Sequence, residues 1–188
     1  LRLSKDETIV RMPFEVRHMG SKYPIFSFDF TGAKRGVLPA SYDYLRLEGR
    51  MQYRLNLPPI GYSQLMLEGG KIFGKVPYLL LKLHEGNGTY FYDRYAFSCM
   101  NFYEFSSDAW ISFFYEHHFN GFLLGRVPLL KKLNWREVFV FKGVYGTLSA
   151  RNDGSLPNTK AVMLFPVGMS SVEHPYLETG FGIENIFR

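Results

Sequence analysis

The sequence predicts an all-β, antiparallel fold of about seven or eight strands, and two observations carry that prediction. Residues 45–57 read Leu-Arg-Leu-Glu-Gly-Arg-Met-Gln-Tyr-Arg-Leu-Asn-Leu, in which apolar and polar side chains alternate without a break. Side chains on a strand point to opposite faces in turn, so this segment predicts one long strand with an apolar face and a charged face. Turn residues separate several further segments of this kind, and no helical periodicity extends beyond two turns.

The boundaries of the predicted strands follow from the alternation and its interruptions. Pro58-Pro59 ends the long strand because proline cannot donate to a ladder, and Gly69-Gly70 is interpreted as another break. Residues 149–175 are rich in Asn, Asp, Gly, Ser and Pro and are predicted to form a long loop. Strands are predicted at residues 8–17, 23–31, 42–57, 61–69, 90–105, 109–119, 136–148 and 176–186.

Composition narrows the setting of this fold to two environments. The chain has 18 Phe and 13 Tyr, and aromatic residues make up 18% of it. Aromatic girdles are typical of transmembrane β-barrels, whereas soluble all-β cores also favour Phe and Tyr. The longest apolar run, near Val76–Leu81, is too short for a membrane helix, so a membrane protein of this sequence would be a barrel. A transmembrane barrel and a soluble, lipocalin-like barrel both stay open at this point.

Charge and cysteine content argue against several other classes. The net charge of +5 is modestly basic, but no nucleic-acid-binding motif accompanies it. The single cysteine, Cys99, excludes an internal disulfide framework and a multi-cysteine metal site. No convincing phosphate-binding loop and no HExxH pattern occur. We therefore predict no cofactor, no metal site and no nucleic-acid partner.

A weak internal repeat connects residues 74–83 (Gly-Lys-Val-Pro-Tyr-Leu-Leu-Leu-Lys-Leu) with residues 125–133 (Gly-Arg-Val-Pro-Leu-Leu-Lys-Lys-Leu). Proline suits the first turn of a helix, and leucine and lysine are then mixed. We interpret both copies as short amphipathic turns at a membrane interface; loop plugs over a soluble core are the alternative. Two predicted strands lie between the copies, so both are expected at one end of the sheet. The residues singled out are Pro77, Lys82, Pro128, Lys131 and Lys132.

One cluster, Glu116-His117-His118, has the residue types of a catalytic site. Alternate residues of a strand share a face, so Glu116 and His118 are predicted to lie together with Ser112 and Asn120. Polar residues on the wet face of a barrel strand are expected without catalysis, and two ligands alone do not make a zinc site. Glu116 and His118 are therefore weak catalytic candidates, and the chain is not predicted to be an enzyme.

The charged face of the long strand carries Arg46, Glu48, Arg50 and Arg54. These side chains line an anion path or form a charge ladder with acids on neighbouring strands. An unpaired inward row of charges is costly, so the ladder is favoured. The acids available as partners are Glu68, Asp93, Glu104, Glu116, Glu178 and Glu184.

Six segments together carry a resemblance to a known family. They are Gly74–Pro77, Leu83–Tyr92, Met100–Asp108, Glu116–Gly121, Val127–Glu137 and Pro175–Ile186. As a set, they resemble the C-terminal domain of unknown function in bacteroidete outer-membrane proteins with an N-terminal carboxypeptidase-D-like regulatory domain. That C-terminal domain is similar to the barrel of the bacterial surface-antigen and outer-membrane assembly-factor superfamily. The resemblance covers residues 60–188.

The resemblance implies an antiparallel transmembrane β-barrel in the outer membrane of the bacterial cell envelope. It also implies a periplasmic N-terminal module and further strands after Arg188, so residues 1–188 are expected to be a fragment of a single barrel domain. Both repeated turns would be periplasmic, and the loop of residues 149–175 would lie outside the cell. No catalytic residue carries over from the family.

The expected function is structural or transport work, or surface assembly, with outer-membrane lipid and other envelope proteins as partners. Two alternatives from other classes remain open. One is a soluble lipocalin-like binding barrel, which would enclose the leucines of residues 45–57 and leave the arginines in water. The other is a barrel-embedded hydrolase that uses Glu116 and His118.

Overall fold

The computed structural model describes residues 1–18, 20–36, 41–89, 91–155, 161–172 and 174–186. This part of the chain contains one short helix, α1 (Pro128–Lys131), and 3₁₀ turns at Tyr78–Leu80 and Leu124–Arg126. No helix within the described ranges has the length and apolar character needed to cross a membrane. The strands are β1 (Arg2–Leu3), β2 (Ile9–Arg11), β3 (Val16–His18), β4 (Ile25–Ala33), β5 (Tyr44–Leu57), β6 (Gly61–Gly74), β7 (Lys82–Leu83), β8 (Phe105–Ser107), β9 (Ala109–His118), β10 (Arg136–Thr147), β11 (Ser170–Ser171) and β12 (Tyr176–Glu184).

The main feature is a seven-stranded antiparallel sheet in the order β1-β4-β5-β6-β9-β10-β12. The predicted all-β, antiparallel class is therefore confirmed. The described strands form an open sheet with β1 and β12 at its edges, and two small sheets, β11-β8-β7 and β2-β3, accompany it. β5 and β6 pair along their full length of 14 residues each.

The two faces of the main sheet differ in chemistry and in exposure. The inner face, defined here as the face of Arg46, Glu48 and Arg50, carries charged side chains on nearly every central strand. Its Glu68, Ser112, Glu116, His118 and Lys142 are between 1% and 3% exposed. The outer face, that of Leu45, Leu47 and Met51, is apolar and much more open. Its exposed fractions include 70% for Phe30, 50% for Ile111, 46% for Tyr145 and 66% for Phe181.

A segment that we name the plug, residues 84–89 and 91–105, covers the centre of the inner face. Its Phe97 and Met100 are 1% and 2% exposed and pack on Met66, Phe114 and Val144 of the sheet. A second apolar cluster joins Ile72 and Trp110 of the sheet to Val76 and Leu81, which lie between β6 and the plug. The hydrophobic core therefore lies between the charged face of the sheet and these inserted segments.

The plug corrects the prediction of a second long strand at residues 90–105. Residue 90 lies outside the described residues. Residues 91–104 form turns and bends with one isolated bridge between Phe97 and Gly86, and a strand begins only at β8. The aromatic and polar residues of this segment contact the inner face instead of forming a strand of the sheet. As a result, β9 pairs directly with β6.

The repeated turns consequently lie at opposite ends of the sheet. The prediction that both lie at the same end is therefore wrong. Only β9 separates them in the sheet order, so the chain leaves β6 at one end and β9 at the other. The first copy is interior: Pro77 is buried, and Lys82 is paired with Glu68. The second copy is exposed at Pro128, Lys131 and Lys132.

Candidate functional site

Glu68 is the centre of the first charged cluster on the inner face. Its carboxylate lies 2.6 Å from Arg50 Nη2 and 2.5 Å from Lys82 Nζ, and Trp110 Nε1 donates to it at 3.4 Å. Arg50 and Glu68 are directly opposite each other on β5 and β6. Lys82 belongs to β7, which directly precedes the plug, so this cluster connects β7 to the main sheet.

The charge ladder of β5 is partly local and partly across strands. Arg46 pairs with Glu48 on the same strand at 2.8 Å, and Lys82 lies 4.0 Å from Glu48. Arg54, the last predicted member, instead lies over the ring of Tyr62 with 4.2 Å between the guanidinium carbon and the ring centroid. The structure thus brings Arg46, Glu48 and Arg50 into one network and places Arg54 in a separate aromatic contact.

His84 continues this network into the plug. Its Nε2 lies 2.9 Å from Ser107 Oγ, and its side chain is buried. Burial, followed by the charge of Lys82, lowers the pKa of His84 to about 4. The imidazole is therefore neutral at neutral pH.

Glu116 fastens the middle of the plug to β9. Its Oε2 accepts hydrogen bonds of 2.9 Å from both Tyr92 Oη and Arg94 Nε. Arg94 also donates to Gln64 on β6. Burial, followed by the negative charge of Glu116, raises the pKa of Tyr92, so the phenol stays protonated and remains a donor.

Lys142 and Glu178 fasten the rest of the plug to β10 and β12. Lys142 Nζ donates to the carbonyl of Asp93 at 3.0 Å and to the carbonyl of Ala96. The Glu178 carboxylate accepts from the backbone N–H groups of Ser98 and Cys99, each at 2.8 Å. Lys142 and Glu178 thus bond four backbone polar groups of the plug, including the buried carbonyl of Ala96.

The two weak catalytic candidates do lie together, and a third side chain joins them. His118 Nε2 lies 2.6 Å from Glu116 Oε1, and His118 Nδ1 lies 3.1 Å from Glu184 Oε2 on β12. The ring of Tyr62 stacks on His118 at 4.4 Å and fixes the plane of the imidazole. Sequence reasoning missed Glu184 as a neighbour because it is 66 residues away and reaches the site only through the pairing of β9, β10 and β12.

This arrangement lacks the parts of a hydrolytic triad. Ser112 points to the same face but lies four residues before Glu116, about 13 Å along the strand. Asn120 is in the turn after β9, outside the strand, with a φ of 53°. A cavity of about 470 Å³ lies beside the cluster, and Glu116, Lys142, Glu178, Gly182 and Glu184 contribute to its wall. The site offers carboxylate and imidazole ligands beside an open space rather than an activated nucleophile.

The outer face has a continuous apolar surface that crosses the sheet. One register row aligns Met51, Leu67, Phe113 and Leu177 through Gly143 of β10. The next row towards one end places Leu65, Tyr115 and Phe141 side by side. The polar residues Ser63 and His117 lie near an end of this surface and hydrogen-bond to each other at 2.7 Å.

Fold and site together define an antiparallel sheet whose charged face is filled by its own plug and whose apolar face is open. The sequence profile described as the C-terminal domain of a family of unknown function (DUF5686) matches residues 6–150. The chain belongs to this family. The match includes residues 60–150 of the region that carries the resemblance and extends it to residue 6, whereas residues 151–188 lie outside the match. No curated protein and no solved structure matches the chain.

Proposed function

We propose that this chain is part of a transmembrane β-barrel in the bacterial outer membrane, with the outer face against lipid and the plug inside the barrel. The observation that carries the proposal is the reversal of the two faces. Charged side chains of the sheet are 1–3% exposed under the plug, while Ile111 at the centre of the sheet is 50% exposed. A water-soluble sheet would bury the apolar face instead.

The extent of the apolar surface supports lipid as its environment. Phe28, Leu45, Phe73, Tyr145 and Leu177 are each at least 38% exposed and belong to five different strands. Monomeric soluble proteins rarely expose contiguous apolar patches larger than several hundred Å². A surface that spans every long strand of a sheet is typical of the lipid-facing side of a barrel.

The lengths of the strands support the same proposal. β5 and β6 have 14 residues each, β10 has 12, β9 has 10, and β4 and β12 have 9. A tilted strand needs about 9–11 residues to cross the hydrocarbon core. The central strands are therefore long enough to cross and to continue into the interfaces.

The proposed work of the barrel is structural, with a role in transport or surface assembly. The plug fills the inner face beside charged pairs, so any passage through the barrel requires the plug to move. We propose outer-membrane lipid as the direct partner and other envelope proteins as partners of the loops. No catalysis is proposed.

Two adjacent residues of β5 provide the test of the facing. Met51 points outward and Gln52 inward. Met51→Arg places a charge against lipid and is expected to cost about 2–4 kcal/mol near mid-membrane, whereas Gln52→Arg adds a charge to a face that already carries arginines. The measurement is the fraction of protein that inserts into the outer membrane and shows a heat-dependent mobility shift.

Met51→Arg is expected to reduce that fraction at least several-fold, and Gln52→Arg to leave it close to the parent. Equal behaviour of the two variants would contradict the proposed facing. A parent chain that stays monomeric in buffer without detergent would contradict the membrane location itself. The lipocalin-like alternative would enclose Leu45 and Leu55, and their exposed fractions of 43% and 39% favour the membrane proposal over it.

A further inference from the structure

The cluster of Glu116, His118 and Glu184 contains a donor set that ion pairing alone does not explain. One ligand atom from each of the three residues lies within 4.8 Å of the others. Glu116 and His118 are each 3% exposed, whereas the Glu184 side chain is 47% exposed. Two elements of the sheet, β9 and β12, hold the ligands, and the cluster adjoins the cavity of about 470 Å³.

The second observation is the buried nitrogen of His118. His118 Nε2 has no hydrogen-bond partner among the described residues, although Glu116 Oε1 is only 2.6 Å away. The contact is short, but its geometry does not suit an N–H donor and a carboxylate acceptor. A buried polar atom without a hydrogen bond is costly, so this nitrogen calls for another partner.

We propose that Glu116, His118 and Glu184 bind a divalent transition metal, with Zn²⁺ as the best match. Zinc accepts imidazole nitrogen and carboxylate oxygen at about 2.0–2.2 Å. One nitrogen and two oxygens suit zinc better than the all-oxygen ions Mg²⁺ and Ca²⁺. Glu184 Oε2 contacts His118 Nδ1 at 3.1 Å, on the other side of the imidazole from Glu116, so the half-exposed Glu184 side chain has to turn towards Nε2 to complete the ligand set.

Neighbouring side chains act as outer partners of this site. Tyr92 and Arg94 both hydrogen-bond to Glu116 Oε2, which leaves Oε1 on the side of His118. Arg94 Nη2 also donates to Oε1 at 3.3 Å, so a bound cation would share this oxygen with the guanidinium. Such hydrogen bonds to a ligating carboxylate fix its orientation. The coordination position next to the cavity stays open for a small ligand.

The test measures metal binding directly and does not depend on membrane location. Tag-free protein with Cys99→Ser, which removes the exposed thiol, is titrated with Zn²⁺ by calorimetry and with Co²⁺ by visible absorption. Detergent is present throughout. One equivalent is expected to bind, with a cobalt spectrum of low coordination number. Glu184→Gln and His118→Gln are each expected to weaken binding at least tenfold.

His84→Gln is the matched control, since His84 is also buried but lies in the plug beside Ser107. It is expected to bind the metal like the parent. Because Glu184 is half-exposed, Glu184→Gln keeps the test valid if His118→Gln fails to fold. The absence of one-equivalent binding in the parent, or unchanged binding in folded Glu184→Gln, would overturn the metal site and leave the proposed barrel unaffected.

Discussion

His84 shows how one residue of the plug couples the fold to pH. Its pKa falls from 6.5 to about 4 in the folded chain, because burial and then the charge of Lys82 disfavour the imidazolium. Between these two pH values, the unfolded chain binds a proton that the folded chain does not. The free energy of unfolding therefore decreases as the pH falls through this window, by about 3 kcal/mol at its lower end.

The prediction at this residue is that acidification lowers the thermal midpoint of the parent more than that of His84→Gln. The measurement is the temperature of the heat-dependent mobility shift at pH 7.5 and pH 4.5, in the same detergent. Glutamine does not titrate. The change in midpoint between the two pH values, compared between parent and His84→Gln, therefore measures the contribution of the histidine. An identical change in midpoint in both proteins would assign the acid sensitivity to other groups.

Gly70 shows why a local pattern led to a wrong boundary at the residue scale. Gly69-Gly70 predicted the end of a strand at residue 69, but β6 continues to Gly74. A Cβ on Gly70 would lie 2.5 Å from Cζ2 of Trp110 on β9. Glycine is needed here for the close approach of a tryptophan ring that bonds Glu68. No property of the neighbouring sequence indicates that partner.

At the scale of elements, the plug depends on a few anchors, of which Lys142 is the most buried. The anchor holds two backbone carbonyls, those of Asp93 and Ala96. Lys142→Met keeps the length of the side chain but leaves both carbonyls without this donor, and the loss at the buried Ala96 carbonyl costs about 1–3 kcal/mol. We expect the plug to open more often and trypsin to cut several-fold faster after Arg94.

Limited proteolysis of the folded protein in detergent, with the fragments identified by mass, measures this opening. Lys75→Met is the control, because Lys75 is an exposed lysine in the connection after β6. It is expected to leave the rate of cleavage after Arg94 unchanged. Equal rates for both variants would show that Lys142 does not hold the plug in place.

The sheet strands were largely predictable, whereas the plug was not. Uninterrupted alternation predicted strands at 42–57 and 136–148, and the structure has β5 at Tyr44–Leu57 and β10 at Arg136–Thr147. Successive side chains of any strand point to opposite faces, so a period of two in the sequence is enough to predict where a strand lies and which residues share a face. Residues 8–17 form a hairpin of two short strands, β2 and β3, where a single strand was predicted.

The plug and the third acid of the cluster depend instead on contacts distant in sequence. Tyr92 and Arg94 read as members of a strand because the turn residues Ser106-Ser107-Asp108 separate residues 90–105 from the next predicted strand. Their actual partner is Glu116, which lies 24 and 22 residues further along the chain. Glu184 likewise lies beside His118 only through the pairing of β9, β10 and β12. Local periodicity specifies a face of a strand but does not identify the side chains that fill it.

At the scale of the whole molecule, the fold places charge inside and apolar surface outside. A charged interior is tolerated because its groups are paired, as with Glu68 and Arg50 at 2.6 Å, and because the plug supplies further partners. An exposed apolar exterior of this extent requires a matching apolar environment. In the proposed barrel, lipid supplies that environment.

Brominated lipid distinguishes the two faces of the sheet, because bromine on an acyl chain quenches a nearby tryptophan. Two variants with a single tryptophan each are compared. Trp110 points inward and is 5% exposed. In Trp135→Phe it becomes the single inward reporter. Phe113 points outward three residues later on the same strand. The variant with Phe113→Trp, Trp110→Phe and Trp135→Phe has a single outward reporter.

We expect bilayers with brominated acyl chains to quench the outward reporter at least twofold more than the inward one, because only the outer face meets lipid in the proposed barrel. Bromine close to the headgroups provides the depth control. It should quench the outward reporter less than bromine near the chain ends, since Phe113 lies in the central register row with Met51 and Leu67. Stronger quenching of the inward reporter would reverse the facing of the sheet. Equal, negligible quenching of both reporters in bilayer-associated protein would place the apolar face against protein instead of lipid.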